Sequence, residues 1–137
     1  MITKKGEKMF DHEKLRVYQY SLDFAEWTGI LLDEIPKKIS VCNHLDEAST
    51  SIPLNIAEGN GKYTSRDRCK YFDIARGSAL ECASSLDVLV KRKKVEQKRV
   101  IEGKQLLSDI VSMLVGLIKS NSDRTFEPGI DYRPDEN

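Results

Sequence analysis

Hydrophobic residues recur along this chain at alternating intervals of three and four in four separate segments, with polar residues between them. This spacing places the apolar side chains along one side of an α-helix, so each segment predicts an amphipathic helix. Prolines and glycines between the segments predict where the helices end. The predicted helices run from near Asp11 to Pro36, from Ser40 to Ala57 or Glu58, from Thr64 through Leu89 to a basic stretch at residues 91–94, and from about Glu96 to Lys119.

The same pattern predicts which face of each helix is buried. In the first helix the expected stripe is Leu15, Tyr18, Leu22, Ala25, Gly29 and Leu32. In the second and third helices it is Leu45, Ala48, Ile52 and Ile56, and then Phe72, Ala75, Ala79, Cys82, Leu86 and Leu89. The apolar face of the fourth helix is wider, because Val111, Val115 and Ile118 flank its stripe, and it predicts burial either within the monomer or against another subunit.

Four amphipathic helices predict an all-α protein built as a helical bundle, because each must bury its stripe against the others. The length of 137 residues is typical of a single domain that can bury a core without disulfide bonds. We expect residues 1–9 to form an N-terminal extension and residues 10–120 to form the bundle. Residues 121–137 contain two prolines and several acidic residues without helical periodicity, which predicts a mobile acidic tail.

The most informative segment lies in the second predicted helix, where residues 51–59 read SIPLNIAEG. Pro53 falls inside the helical pattern, although proline has no amide hydrogen to donate to the preceding turn. Gly59 and Gly61 follow, and both predict left-handed backbone conformations that close the helix.

Polar residues beside the apolar stripes of the second and third helices also call for an explanation. Asn55, Glu58 and Glu81 occupy such positions and need hydrogen-bonding partners if they are buried. We hypothesise that Glu58 or Glu81 pairs with an arginine such as Arg68 or Arg76. Such a pair would connect the second helix to the third.

The charges of the chain balance overall, with 22 basic and 22 acidic residues, but they are unevenly distributed. Between residues 62 and 104 twelve lysines and arginines accompany six acidic residues. A basic surface of this kind binds nucleic acid by neutralising phosphates, in a salt-dependent and sequence-independent way. The alternative is an ordinary solvated face with a lysine-rich loop. The candidate nucleic-acid contacts are Lys62, Arg66, Arg68, Lys70, Arg92, Lys93 and Lys94.

No catalytic or cofactor-binding pattern stands out in the sequence. His12 and His44 lack the glutamate three residues upstream that di-iron bundles use. The segment at residues 59–62 reads GNGK but is followed by Tyr63, where a phosphate-binding loop needs serine or threonine. Three cysteines form no CxxC pair, which favours the reducing cytoplasm, and no apolar run approaches the ~20 residues of a membrane span. We therefore expect a cytoplasmic protein without cofactor, membrane span or enzymatic activity.

Two segments together resemble a known family. SIPLNIAEG at residues 51–59 and YFDIARGSALE at residues 71–81 resemble the 23S rRNA intervening-sequence proteins, also called bacterial four-helix bundle proteins. The segments at residues 10–20 and 113–119 fit the same pattern, so the resemblance covers about residues 10 to 120. The residues of the family motifs that we expect to be structural are Ser51, Pro53, Asn55, Glu58, Gly59, Gly77 and Glu81.

This resemblance implies an antiparallel up-down-up-down four-helix bundle that assembles into a closed homo-oligomer, typically a pentamer. It also implies a partner that is RNA, another nucleic acid, or a nucleic-acid-handling protein such as a reverse transcriptase, and no enzymatic activity. The alternative function is a scaffolding module that binds another protein, for which the wide apolar face of the fourth helix is the candidate surface.

Overall fold

Four long α-helices make up most of the part of the chain that the structure describes. The structure, a computed structural model, describes residues 8–125, with side chains as far as residue 122. The helices are α1 (Arg16–Asp33), α2 (Ser40–Asn60), α3 (Ser65–Lys91) and α4 (Ile101–Thr125). Short 3₁₀ helices at Asp11–Lys14 and Gln97–Val100 precede α1 and α4. The predicted all-α class and the four helices are therefore confirmed.

The observed helix ends differ from the predicted ones at several places. The first turn at Asp11 is a 3₁₀ helix, and α1 begins only at Arg16, after Leu15 in an extended conformation. Helix α2 continues to Asn60, so Gly59 lies inside it. Helix α4 continues to Thr125, beyond its predicted end at Lys119, so residues 121–125 of the predicted tail are helical. Residues 1–7 of the predicted extension at residues 1–9, and residues 126–137 of the predicted tail, lie outside the described residues.

One hydrophobic core receives side chains from all four helices. The predicted stripes of α2 and α3 are buried at every position, and so are Leu107, Ile110 and Leu114 of α4. Of the three residues that flank the α4 stripe, Ile118 lies in this core and Val111 packs against it, so these two are used within the monomer. The largest fully buried side chains are Phe24, Leu31, Ile35, Leu45, Ile52, Ile56, Phe72, Leu86, Leu89, Ile110, Leu114 and Ile118.

The buried face of α1 agrees with the predicted stripe only in part, since Leu32 is buried as predicted. Leu22 and Gly29 of the predicted stripe are exposed, whereas Phe24 and Trp27 are buried. Two overlapping series with intervals of three and four run through this helix, and the series with the larger side chains is the one that packs inward. Burying the larger side chains removes more apolar area from water, which explains the choice.

Contacts between the helices define their order around the core. Helix α2 packs on α1 and α3, and α4 packs on α3 and α1. For α2 with α3, α3 with α4 and α1 with α4, the residues that meet run in opposite chain directions. These meeting pairs include His44 with Glu81 and Ser51 with Ser78, Cys69 with Ile118 and Asp87 with Lys104, and Trp27 with Gly103 and Glu34 with Arg99. No helix within residues 8–125 is long and apolar enough to cross a membrane.

Candidate nucleic-acid interface

The seven basic residues proposed from the sequence do not form one surface. Four of them lie at the beginning of α3 or just before it, and three follow the end of α3. At 1.5 Å per residue, the helix places Lys70 and Arg92 roughly 33 Å apart. The two groups therefore lie at opposite ends of the bundle, and each has to be considered separately.

Arg68 is a structural residue rather than a free nucleic-acid contact. Its guanidinium donates to the backbone oxygen of Asn60 at 2.7 Å and to the side-chain oxygen of Asn60 at 3.2 Å. Its Nε donates to Oδ1 of Asn121 at 3.1 Å, and the guanidinium lies 5.7 Å from the ring centre of Phe72. Arg68 thus connects α3 with the last residue of α2 and with the end of α4.

The two asparagines extend this network. Asn121 is only 2% exposed and also donates to the backbone oxygen of Leu117 at 2.8 Å. Asn60 donates to the carboxylate of Asp11 at 2.9 Å. Hydrogen bonds from Lys14 and then from Asn60 lower the pKa of Asp11. Arg68 and its two asparagine partners therefore join the 3₁₀ helix before α1 to α2, α3 and α4.

The remaining basic residues at the beginning of α3 lie close in sequence to two tyrosines. We call Lys62, Tyr63, Arg66, Lys70 and Tyr71 the tyrosine cluster. The ammonium groups of Lys62 and Lys70 lie 5.0 and 5.6 Å from the ring centre of Tyr71. Tyr63 is fully exposed.

Within the tyrosine cluster, Lys62 is already paired with an acidic residue. Its ammonium group lies 3.0 Å from Oε2 of Glu58, and this carboxylate raises the pKa of Lys62. The pair is exposed and joins residues four apart along the chain, so its net contribution to stability is small. Lys62 keeps its positive charge at neutral pH, but Glu58 offsets that charge locally.

At the other end of the bundle, residues 91–96 form what we call the basic loop. Its first four residues, Lys91 to Lys94, are consecutive cations. The amide of Lys94 donates to the carbonyl of Leu89 at 2.9 Å, and that of Lys93 donates to Val90 at 3.0 Å. These two bonds form the Schellman motif that ends many helices. Lys93 occupies its left-handed position with φ of 58°, where glycine is usually found.

The basic loop borders an open cleft of about 630 Å³. The cleft is lined by Val90, Lys93, Lys94, Val95, Glu96, Gln97 and Lys98. Lys98 lies 3.7 Å from Glu96, and both side chains are largely exposed. Within the described part of the chain, Lys91, Arg92, Lys93 and Lys94 form no ion pair, so their charges are not offset by a neighbouring carboxylate.

The expected pairing of Glu58 or Glu81 with Arg68 or Arg76 is wrong. Glu58 pairs with Lys62, and Glu81 lies 3.8 Å from the ring of His44. Arg76 instead pairs with Asp73, three residues before it, at 3.1 Å. The glutamates are exposed on the helix surfaces, where a lysine or histidine within reach is sufficient.

Serine and asparagine side chains connect α2 to α3 instead. The hydroxyls of Ser51 and Ser78 lie 2.8 Å apart, and Asn55 donates to the Ser51 hydroxyl at 2.9 Å. Asn55 also donates at 2.9 Å to the backbone oxygen of Ser51, which lies one turn earlier in α2 and two residues before Pro53. This polar contact satisfies groups that are half-buried between the two helices.

The two glycines of the family motifs have different surroundings. A Cβ at Gly59 would approach the ring of Phe72 and the Cβ of Tyr71 to 3.0 Å, so glycine permits the close packing of α2 on α3. Close packing, and not the predicted left-handed conformation, is therefore the reason for glycine at position 59. Gly61 does not adopt the predicted left-handed conformation either, since its φ is −85°. A Cβ at Gly77 would meet nothing within 4 Å.

The cysteines and the potential metal ligands complete the chemistry of the described region. All three cysteines are free thiols and buried. Burial raises the pKa of Cys82 to about 12, which keeps this thiol protonated. No group of three or more histidine, cysteine or acidic side chains within residues 8–122 is arranged to hold a metal ion.

Comparison with known sequences identifies the family of the chain. A sequence model of the 23S rRNA-intervening sequence proteins matches residues 13–116, well over half of the chain. The chain belongs to this family. The expected resemblance is thus confirmed, and the Arg68 contact to Asn60 falls within the matched region of this 23S rRNA-intervening sequence protein. No curated protein matches the chain.

A solved structure shows the same fold. A crystal structure of a protein of unknown function from the S23 ribosomal protein family of Bacteroides thetaiotaomicron matches with a TM-score of 0.72. The two sequences are 23% identical, and the match covers 75% of this chain and 98% of that chain. At this level of identity the likeness shows the fold of the 23S rRNA-intervening sequence protein and not its function.

Proposed function

We propose that this protein binds RNA through the basic loop at the end of α3. The observation that carries the proposal is the run of four cations, Lys91 to Lys94, without a carboxylate within ion-pairing distance in the described region. Phosphate groups are the counter-charge that such a run attracts, and their neutralisation releases bound ions from the nucleic acid. The family description, which refers to 23S rRNA, supports RNA as the polyanion.

The backbone of the basic loop favours this role. The two hydrogen bonds of the Schellman motif fix Lys93 and Lys94 directly after α3, so these cations are presented by an ordered turn. Lys98 lines the same open cleft and adds a further cation, although Glu96 accompanies it. An ordered cationic turn loses less conformational entropy on binding than a disordered lysine-rich segment.

The test is a paired charge reversal. We expect Arg92→Glu/Lys94→Glu to weaken the binding of a fluorescent single-stranded RNA roughly ten- to hundredfold at moderate salt, because two phosphate contacts are replaced by repulsion. This variant leaves the left-handed residue Lys93 unchanged. The control is Arg16→Glu/Lys119→Glu, which changes the net charge equally at two exposed positions on α1 and α4. Equal losses in both variants, or no loss in either, would contradict the proposal.

The protein is also proposed to act as a closed homo-oligomer, with a pentamer as the form that the family resemblance suggests. Isoleucine and leucine residues on the outer surfaces of α2 and α3 support an association: Leu54 is 63% exposed, Leu80 48% and Ile74 42%. Light scattering that gives the 15.6 kDa monomer mass at micromolar concentration would refute this assembly. Three unpaired cysteines suit the reducing cytoplasm as its location.

The second candidate function is a scaffolding module that binds another protein without catalysis, including a nucleic-acid-handling protein such as a reverse transcriptase. The same exposed apolar residues of α2 and α3 favour this candidate, since Val111 and Ile118 of the wide α4 face are used within the monomer. Charge reversal at Arg92 and Lys94 separates the two functions. A scaffolding partner would remain bound to that variant, whereas RNA would be lost.

A further inference from the structure

Tyr63 has a surface exposure that is unusual for an aromatic residue. The side chain is 103% exposed, so the fold covers none of it, and both faces of its ring are open to solvent. The next most exposed aromatic side chain of the described region is Phe10, at 73%. A solvent-exposed aromatic ring has an unfavourable contact with water and does not contribute to the core. Packing within this chain therefore does not explain why residue 63 is a tyrosine.

The backbone on both sides of Tyr63 is fixed by hydrogen bonds. Before it, the amide of Lys62 donates to the carbonyl of Gly59 at 3.2 Å, which closes the end of α2. After it, Thr64 caps the beginning of α3, because its hydroxyl accepts from the amide of Asp67 at 3.1 Å. The ring therefore projects from a short turn held at both ends, so the position of the backbone that carries it is defined.

Cations accompany Tyr63 along the chain. Lys62 precedes it directly, and Arg66 and Lys70 follow in the first turns of α3, four residues apart and hence on the same face of the helix. Lys62 and Lys70 both lie within 6 Å of the ring centre of Tyr71. One exposed ring and a second ring contacted by two ammonium groups thus belong to a single small region of the surface.

We infer that the tyrosine cluster is a binding site for single-stranded RNA, separate from the basic loop and additional to it. An unpaired base stacks on the exposed ring of Tyr63, and the neighbouring phosphates are neutralised by Arg66 and Lys70, since the charge of Lys62 is offset by Glu58. Aromatic rings flanked by cations bind single strands in this way, since every base has a face that can stack. A duplex keeps its bases stacked on each other and therefore gains nothing from Tyr63. The inference rests on the proposed RNA binding and specifies the form of RNA.

The test compares single-stranded and duplex RNA of equal length by fluorescence anisotropy. We expect Tyr63→Ala to weaken the binding of a short oligouridine roughly five- to hundredfold, because one stacking contact is lost. Tyr63→Phe keeps the ring and should bind within about twofold of the wild type. The affinity for the duplex and the salt dependence should not change. Phe10→Ala, which removes the other highly exposed ring, serves as the matched control and should bind like the wild type.

The possible outcomes separate this inference from the proposed function. If Tyr63→Ala binds oligouridine like the wild type, the tyrosine site is refuted while the basic loop can still be correct. If reversal at Arg92 and Lys94 has no effect but Tyr63→Ala does, the basic loop is refuted and the tyrosine site stands. A wild-type protein that does not bind oligouridine refutes both. A smaller mass of Tyr63→Ala in light scattering would assign the ring to a contact between subunits and would also refute the inference.

Discussion

Arg68 gives the sharpest prediction about the fold, because the sequence suggested a nucleic-acid contact and the structure places it in a network of hydrogen bonds. The change to test is Arg68→Ala. It removes three hydrogen bonds, two to Asn60 and one to Asn121. It also leaves Oδ1 of Asn121 without this donor in a side chain that is only 2% exposed.

The magnitude follows from these contacts. Hydrogen bonds that involve a charged group contribute about 1.5–3 kcal/mol, and an unsatisfied buried acceptor costs about 1–3 kcal/mol. Arg68 is half-buried, so water replaces part of what is lost. We therefore expect Arg68→Ala to lower the free energy of unfolding by about 2–4 kcal/mol, a large fraction of the ~5–15 kcal/mol that stabilises a typical domain.

The assay is urea unfolding followed by circular dichroism, with Arg66→Ala as the control on the same helix. Arg66 is exposed, and its replacement should change the free energy of unfolding by less than about 0.5 kcal/mol. A double-mutant cycle with Asn121→Ala should give a coupling energy of about 1–2 kcal/mol. If Arg68→Ala is as stable as Arg66→Ala, or the two changes at Arg68 and Asn121 are additive, the network does not stabilise the fold.

Three further predictions concern other positions. Gly103→Ala should destabilise the protein by about 1–3 kcal/mol, because a Cβ there would overlap the indole of Trp27. Gly77→Ala, which has open space around it, should stabilise the monomer by up to about 1 kcal/mol in the same unfolding experiment. Equal effects of the two substitutions would contradict this packing. Lys93→Gly should raise the melting temperature, since glycine adopts a φ of 58° without strain, and a lower melting temperature would argue against the left-handed turn. The raised pKa of Cys82 means that its thiol stays protonated in the folded protein between pH 9 and about 12, whereas the unfolded thiol ionises. The free energy of unfolding should therefore fall as the pH rises through this range. Cys82→Ala should make this fall with pH less steep, and an unchanged pH dependence would contradict the prediction.

The number and type of the elements follow from the sequence because the apolar spacing of each segment is strong. In α2 and α3 a single series of apolar residues fits the helical period, and every predicted stripe residue is buried. In α1 two series fit equally well, and the choice between Leu22 and Phe24 depends on the packing of the other three helices. A pattern within one segment contains no information about the shape of the space that it must fill.

The placement of the basic residues at two opposite ends of the bundle could be predicted from helix geometry. The structural role of Arg68 could not be predicted from the sequence. Its partners lie 8 and 53 residues away along the chain. The only signal is the position of two asparagines near the ends of predicted helices, and asparagine is common at such positions for many reasons. Gly103 was missed in the same way, since its contact with Trp27 exists only once α1 and α4 have packed together.

The central claim is that phosphate neutralisation by the basic loop binds RNA, and the salt dependence of binding tests it most directly. We would measure the affinity for one RNA between 50 and 200 mM salt and plot its logarithm against that of the salt concentration. The account predicts a steep negative slope for the wild type, and a slope smaller in magnitude by about 1.4–1.8 for Arg92→Glu/Lys94→Glu, because each of the two phosphate contacts contributes about 0.7–0.9. A flat plot for the wild type, or equal slopes for the two proteins, would contradict the account.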